Sequence, residues 1–335
     1  VYYDYEPPRG KNFNKDWKFS LTADSTAIDP SYNDSQWRSL NLPHDWSIEG
    51  KFNEKHPATT QGGALPGGIG WYRKTFDTPL SYDSLYVQFD GVYRNSEVWI
   101  NGHYLGKRPN GYIPFRYNIA PYLKESEPNV IVVKVDNSQQ PNSRWYTGSG
   151  IYRNVHLVMP HIVINEERGN VQLTTTYDSK RNVATVHVKM PIKRYRGGTY
   201  TLRLYDNNGK KELMFTPPMI IDEDDFPEPS DTTYLFEKTL EIPAPKLWSV
   251  DRPYLYRLDM TFGSSEYAIP VETFLFGVRY FKFDAQKGFF LNGKPLKIKG
   301  VCLHHDLGAL GAAVNKRAIE RQLQILKDMG CNAIR

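Results

Sequence analysis

Side chains able to bind or activate a polar substrate gather near the end of this chain, where Leu303, His304, His305 and Asp306 follow a short apolar run from Leu296 to Cys302. Two histidines and a carboxylate could bind hydroxyl groups or ligate a metal. Adjacent residues of an extended segment point to opposite faces, so a joint His-His-Asp metal site is disfavoured and no metal ligand is assigned. A loop or core histidine is the competing reading for His304.

The elements that must position these residues can be read from the last forty positions. The run from Leu296 to Cys302 suits a strand, and a Gly- and Ala-containing loop follows through Val314. Asn315 stands at a helix N-cap, with Ile319, Leu323 and Leu326 on one face, Ile325 and Met329 flanking them, and Gly330 placed to stop the helix. Cys331, Ala333 and Ile334 open a second apolar strand. Strand, loop, helix, strand is the unit of parallel sheets and (β/α)8 barrels, whose chemistry sits at the C-terminal strand ends. A doubly buried strand is a poor terminus, so the expectation is the front part of a longer protein.

Composition narrows the alternatives. With 40% hydrophobic and 14% aromatic residues over 335 positions, two or three domains with real cores are expected. The formal charge of +5 is spread along the chain, so a nucleic-acid partner is not indicated. No apolar run approaches the ~20 residues of a membrane span, and VYYDYEPPRG lacks the apolar core of a signal peptide. A signal already removed would leave export open, and a periplasmic or extracellular place is expected over the cytoplasm. Cys302 and Cys331, the two cysteines, fall in the expected barrel strands and read as small core thiols.

From Asn12 to Met159, short alternating strands separated by Gly, Pro and Asn predict an antiparallel β-sandwich. Val98 and Ile100 alternate with Glu97, Trp99 and Asn101, and Asn101-Gly102 predicts a hairpin back into Tyr104 and Leu105. Asn53 to Gly70 and Asn137 to Gly150 (NSQQPNSRWYTGSG) break the pattern as long loops, where binding tends to be placed. From His161 to about Phe276, alternation such as Ala184, Val186, Val188 and Met190 predicts an immunoglobulin-like sandwich without the Cys-Trp-Cys core of antibody domains. Asp206-Asn207-Asn208-Gly209 reads as a turn, and Asp222 to Asp231 as a solvated acidic loop without EF-hand spacing. Gly288 to Leu291 and Pro295 to Lys299 form a second hairpin through Asn292-Gly293.

The stretches LPHDW, DGVYRNSEVWINGHYLG, SGIYRNV, LWSVDRPYLY, LNGKPLKIKGV and CNAIR, in this order, resemble glycoside hydrolase family 2 over nearly the whole chain. GVCLHHDLGALGAA is most similar to the bacterial β-galactosidase branch. The resemblance implies a mostly β chain: a jelly-roll sugar-binding-like domain over 1–160, an immunoglobulin-like β-sandwich over 161–276, and the truncated start of a TIM barrel over 277–335. It also implies retaining hydrolysis by two glutamates, set about 5 Å apart with one protonated and one ionised. Those glutamates are expected beyond Arg335. Glu320, on the exposed side of the predicted helix, is assigned no catalytic role.

Residue by residue, the resemblance implies that His304 contacts the sugar in the innermost subsite. It implies that Arg335, ending the second barrel strand, orients the nucleophilic carboxylate and keeps it ionised. Ser143 and Arg144 lie in a segment, Asn142 to Trp145, that in some relatives reaches into the barrel mouth. Trp145 and Tyr146 read equally as sugar-stacking residues or as packing against the barrel. His305 and Asp306 depart from the string of some relatives.

The expected function is the N-terminal portion of a retaining exo-β-glycosidase, a β-galactosidase first, acting on β-linked oligosaccharides or glycosides and inactive without the remaining barrel. β-Glucuronidase and β-mannosidase are the alternatives within the family, and a non-catalytic carbohydrate-binding protein is the rival of another class. No cofactor is evident, a divalent cation site in the rest of the barrel stays open, and so does homo-oligomerisation.

Overall fold

The computed structural model describes residues 10–79, 85–159, 162–164, 171–195, 198–206, 211–217, 219–221, 234–263 and 269–335. The acidic run 222–231 and Asn207 to Gly209 of the predicted turn lie outside them. Two compact units form, one from Pro160–Lys299 and the other from Arg9–Met159 together with Gly300–Arg335.

In the second of these units, two antiparallel sheets form a sandwich. One runs in the order Lys11–Asn12, Val155–Val158, Tyr86–Phe89, Phe115–Asn118; the other runs Arg38–Leu40, Trp17–Ser20, Gly68–Phe76, Asn129–Asn137, Ser96–Ile100, His103–Arg108. Alternate residues supply the core: Val87 and Phe89, Val98 and Ile100, Ile131, Val133 and Val135, Val155 and Leu157. Asn101 at φ 49° and Gly102 at φ 83° make the predicted hairpin turn, since both central residues need the left-handed region.

Trp99 departs from the expected alternation, because it is buried as well. It stacks on Trp71 at 6.0 Å and shares an outer cluster with Ala27, Val130 and Val132. The chain from Ala23 to Trp37 covers that face, with Ala23, Ile28, Tyr32 and Trp37 packed on the cluster. The buried Arg73 guanidinium fastens this covering chain, donating to Asp34 Oδ2 at 2.9 Å and to the carbonyl of Ala27.

The other unit is also a sandwich. Val183–Tyr195 pairs with Gln172–Asp178, Tyr234–Pro243 and Ile162–Ile164 in one sheet. The second sheet runs Glu212–Phe215, Gly198–Tyr205, Tyr256–Phe262, Ile269–Phe276, with Met219–Ile221 also paired to Gly198–Tyr205. Ala184, Val186, Val188 and Met190 face Leu202, Leu204, Leu258 and Met260 in its core. A three-stranded ribbon of Phe281–Asp284, Gly288–Leu291 and Lys294–Pro295 follows, its last turn made by Asn292 at φ 52° and Gly293 at φ 76°. The fold is therefore mostly β: a jelly-roll-like sandwich, an immunoglobulin-like sandwich and the first βαβ unit of a barrel.

In that βαβ unit, Gly300–Val301 pairs parallel with Ala333–Ile334. The ladder continues through the Arg335 amide to the carbonyl of Val301 at 2.9 Å and the Leu303 amide to that of Arg335 at 2.8 Å. The helix spans Lys316–Asp328, and the Asn315 side chain accepts from the Ala318 amide at its N-cap. Gly330, at φ 87°, ends it, with the Cys331 amide returning to the carbonyl of Leu326 at 3.0 Å.

Two expectations are corrected here. The strand expected over Leu296 to Cys302 is confined to Gly300–Val301, because the ladder partners available to it are the few residues around Ala333–Ile334. The placement of Cys331 is the second: half-buried, it belongs to the helix stop and not to the strand, while Cys302 is exposed within this span of the barrel.

Candidate functional site at the barrel edge

The site is built where the sandwich of Arg9–Met159 meets Gly300–Arg335 within one compact unit. Residues 44–46 run beside 149–151, tied by the His44 amide to the carbonyl of Ile151 at 2.9 Å and the Trp46 amide to that of Ser149 at 3.0 Å. Between them lies Asp45, 2% exposed. Its Oδ1 accepts from the amides of Ser47 at 3.0 Å and Ser149 at 2.9 Å; Oδ2 accepts from the Tyr146 hydroxyl at 2.5 Å and the Ala312 amide at 2.8 Å. A buried carboxylate is tolerated when its lone pairs are filled in this way.

The loop after Asn137 is held by its own polar groups. Asn137 Nδ2 donates to the carbonyl of Gly148 and to Ser149 Oγ, Asn142 Nδ2 donates to Asn137 Oδ1, and the Tyr93 hydroxyl donates to Asn142 Oδ1. Burial pushes the phenols of Tyr93 and Tyr152 up to about 12. Burial, followed by the Asp45 carboxylate, pushes that of Tyr146 well above its ordinary value. All three therefore remain hydrogen-bond donors at neutral pH.

The Ser143 hydroxyl donates to the carbonyl of Trp145 at 2.6 Å and tightens the loop tip, while Arg144 beside it is exposed. Trp145 is 38% exposed and donates through Nε1 to the hydroxyl of Tyr112, itself 40% exposed, at 3.1 Å.

On the barrel side, His305 turns inward. Its Nε2 donates to the carbonyl of Thr147 at 2.9 Å, and its ring lies 5.5 Å from that of Tyr112 and 5.6 Å from that of Tyr152. His304 faces outward, its ring edge-on to Trp145 at 5.4 Å. Cys302, His304 and Asp306 are exposed while Leu303 and His305 are half-buried, the period of two of an extended segment. Arg335 is exposed, with Nη1 3.8 Å from Cys302 Sγ, on the strand next to Leu303. Ala312 is fully buried with Tyr93 and Tyr152 against Tyr146 and Val314, and the Val314 amide reaches the carbonyl of Tyr152 at 2.9 Å.

The structure thus brings His304 against the loop that carries Ser143, Arg144 and Trp145, and sets Arg335 at the same strand edge. Asp306 joins no such contact with His304 and His305, and among the described residues no group of three His, Cys, Asp or Glu side chains is placed to hold a metal. Glu320 pairs with Arg317 along the helix at 3.4 Å. Asp45 and the anchoring role of His305 escape sequence reasoning, because their partners are far along the chain. The one local signal is the Asp45-x-Ser47 spacing of a side-chain-to-backbone turn.

Comparison with known proteins places this geometry in context. Residues 11–160 match the sugar binding domain of glycosyl hydrolases family 2, residues 163–279 match that family's following domain, and residues 284–335 match its TIM barrel domain. A β-galactosidase of Bacteroides ovatus is 46% identical over 98% of this chain, which spans 38% of that protein. A putative β-glucuronidase of Formosa agariphila is 40% identical over 97% of the chain and is itself 30% covered. The crystal structure of a β-glycosidase from Bacteroides vulgatus superposes with a TM-score of 0.83 at 42% identity, over 97% of this chain and 41% of that one. The chain spans less than half the length of each.

Proposed function

The chain belongs to glycosyl hydrolases family 2, and from that premise we propose that it forms the front part of a retaining exo-β-glycosidase that removes terminal β-galactosyl residues. The observation that carries this reading is the contact of His304 with Trp145, rings 5.4 Å apart, beside the strand on which Arg335 pairs with the backbone of Val301 and Leu303. An imidazole there can donate to or accept from a sugar hydroxyl, and an indole offers a face to the ring's C–H groups. Arg335 is positioned to hydrogen-bond a carboxylate arriving from a later strand, favouring its ionised form as nucleophile. Ser143 and Arg144 supply further polar groups to the rim.

Galactose is preferred over glucuronic acid on the 46% identity to the Bacteroides ovatus β-galactosidase against 40% to the putative β-glucuronidase. The deciding experiment expresses the complete polypeptide containing this sequence and assays it on aryl β-galactoside, β-glucuronide and β-mannoside. Highest kcat/KM on the galactoside, with retained anomeric configuration, is the expected result. Preference for either other glycoside would replace the sugar assignment, and sugar binding without turnover would replace the enzyme reading. Residues 1–335 alone, lacking both glutamates of the proposed mechanism, are expected to hydrolyse none of the three.

A further inference from the structure

We propose that Asp45 is a positioning residue of this site: its buried carboxylate locks the 142–150 loop and the 304–312 loop into one arrangement and thereby holds His304 against Trp145. The inference rests on the reading of His304 as a sugar contact but concerns a residue that touches no substrate.

Three observations carry it. Each carboxylate oxygen divides its two bonds between separate segments: Oδ1 joins Ser47 to Ser149, and Oδ2 joins Tyr146 to Ala312. Tyr146 is next to Trp145, and Ala312 closes the loop that begins at His304 and His305, so one side chain reaches both walls of the His304–Trp145 contact.

The surrounding backbone is also shaped to the carboxylate. Gly148 at φ 67° and Gly311 at φ 58° come so close that a Cβ on either would lie 2.5 Å or 2.4 Å from Asp45 Oδ2. Substitution at either would be strained and would clash. Finally, Ala312 is fully buried, so its amide has no water to turn to if the carboxylate is lost.

Asparagine at this position is informative because it changes so little. With its carbonyl oxygen kept on Ser47 and Ser149, its NH2 group would meet the Ala312 amide, donor against donor, while the Tyr146 hydroxyl could turn to accept. The damage should therefore fall on the 304–312 loop. In the reverse orientation the NH2 group would oppose two amides, which is worse.

The test is a double-mutant cycle in the complete polypeptide on its best aryl glycoside, with Asp45→Asn, His304→Ala and the double variant. Asp45→Asn is expected to lower kcat/KM by roughly tenfold or more alone, and by less than about threefold when His304 is already alanine. Additive losses would overturn the proposal, since a merely structural role would act regardless of His304. Tyr146→Phe, which removes one hydroxyl and leaves the amide bonds, should show the same coupling more weakly if Asp45→Asn does not fold.

A second readout is independent of activity. In the 335-residue chain, Asp45→Asn should speed amide exchange across 303–314 and leave the strand Asn129–Asn137 unchanged. Unchanged exchange in 303–314 would overturn the proposal even if hydrolysis is absent, whereas absent hydrolysis by the unmodified polypeptide would remove only the glycosidase reading.

Discussion

The Nε2–H of His305 reaches the carbonyl of Thr147 at 2.9 Å, while neighbouring His304 faces outward with its ring 5.4 Å from that of Trp145. Two consecutive imidazoles thus take different tasks, one fastening a loop and the other open to a ligand. The chemistry is the same for both; the facing of the extended segment divides them.

Substitution should separate the two. His305→Ala leaves the buried Thr147 carbonyl without its partner and removes two aromatic contacts. It is expected to cost about 1–3 kcal/mol of stability in urea unfolding. His304→Ala, at an exposed position, should stay within about 0.5 kcal/mol in the same measurement. In the complete enzyme it should lower kcat/KM by the equivalent of roughly 1.5–3 kcal/mol. Equal stability losses for the two variants would contradict the division.

Trp99 gives a prediction that alternation alone would have reversed. On the outer face of its strand it would be a solvent residue of little consequence, yet it is buried on Trp71 beneath the covering segment. Trp99→Ala is expected to destabilise the sandwich by about 3–5 kcal/mol, the range for large-to-small core substitution. A loss below about 1 kcal/mol in chemical unfolding would show the outer cluster to be a minor one.

These cases mark what can be read from sequence and what cannot. Asn101-Gly102, Asn292-Gly293 and the Asn315 cap act over two to three residues, so their types suffice to place the turns and the helix start. Asp45 finds the Ala312 amide across 267 positions, and His305 finds Thr147 across 158. No period or local motif encodes such pairings. The string LPHDW marked a family likeness without revealing that its aspartate is the most heavily hydrogen-bonded group described around the barrel edge. Cys302 shows a related limit: an apolar run suggests burial, but burial depends on how many neighbouring strands are at hand, and this span of the barrel supplies one.

The helix start offers a local test. Asn315 Oδ1 accepts from the Ala318 amide at 3.0 Å, filling one of the orphan donors of the first turn. Asn315→Ala is expected to cost about 1 kcal/mol locally, read as faster amide exchange across 316–328, whereas Asn315→Ser should retain most of the protection. Identical exchange in the two variants would show that the cap contributes nothing here.

The last prediction concerns pH. His44 is buried, with Nδ1 2.8 Å from the Tyr72 hydroxyl and Nε2 3.1 Å from Glu49 Oε1, and Arg38 Nη2 reaches both Glu49 oxygens at 3.0 and 2.8 Å. Burial depresses the His44 pKa below 6.5, outweighing the hydrogen bond and charge of Glu49, which act the other way. Burial would raise the Glu49 carboxyl, but bonds from Arg38 and His44 hold it below 4.5. For His44 the unfolded chain takes up the proton first, so stability should begin to fall as pH drops below about 6.5 and level off once the folded-state value is passed. For Glu49 the ionised form is favoured by folding, so its contribution is present above 4.5 and is lost as pH falls through the lower folded value. The urea midpoint should therefore decline in two stages on acidification. His44→Gln should flatten the first stage, as pH falls below about 6.5, while the second, which Arg38 still supports, remains but moves toward the ordinary carboxyl range. An unchanged slope through that upper window would show that His44 is not the group responsible.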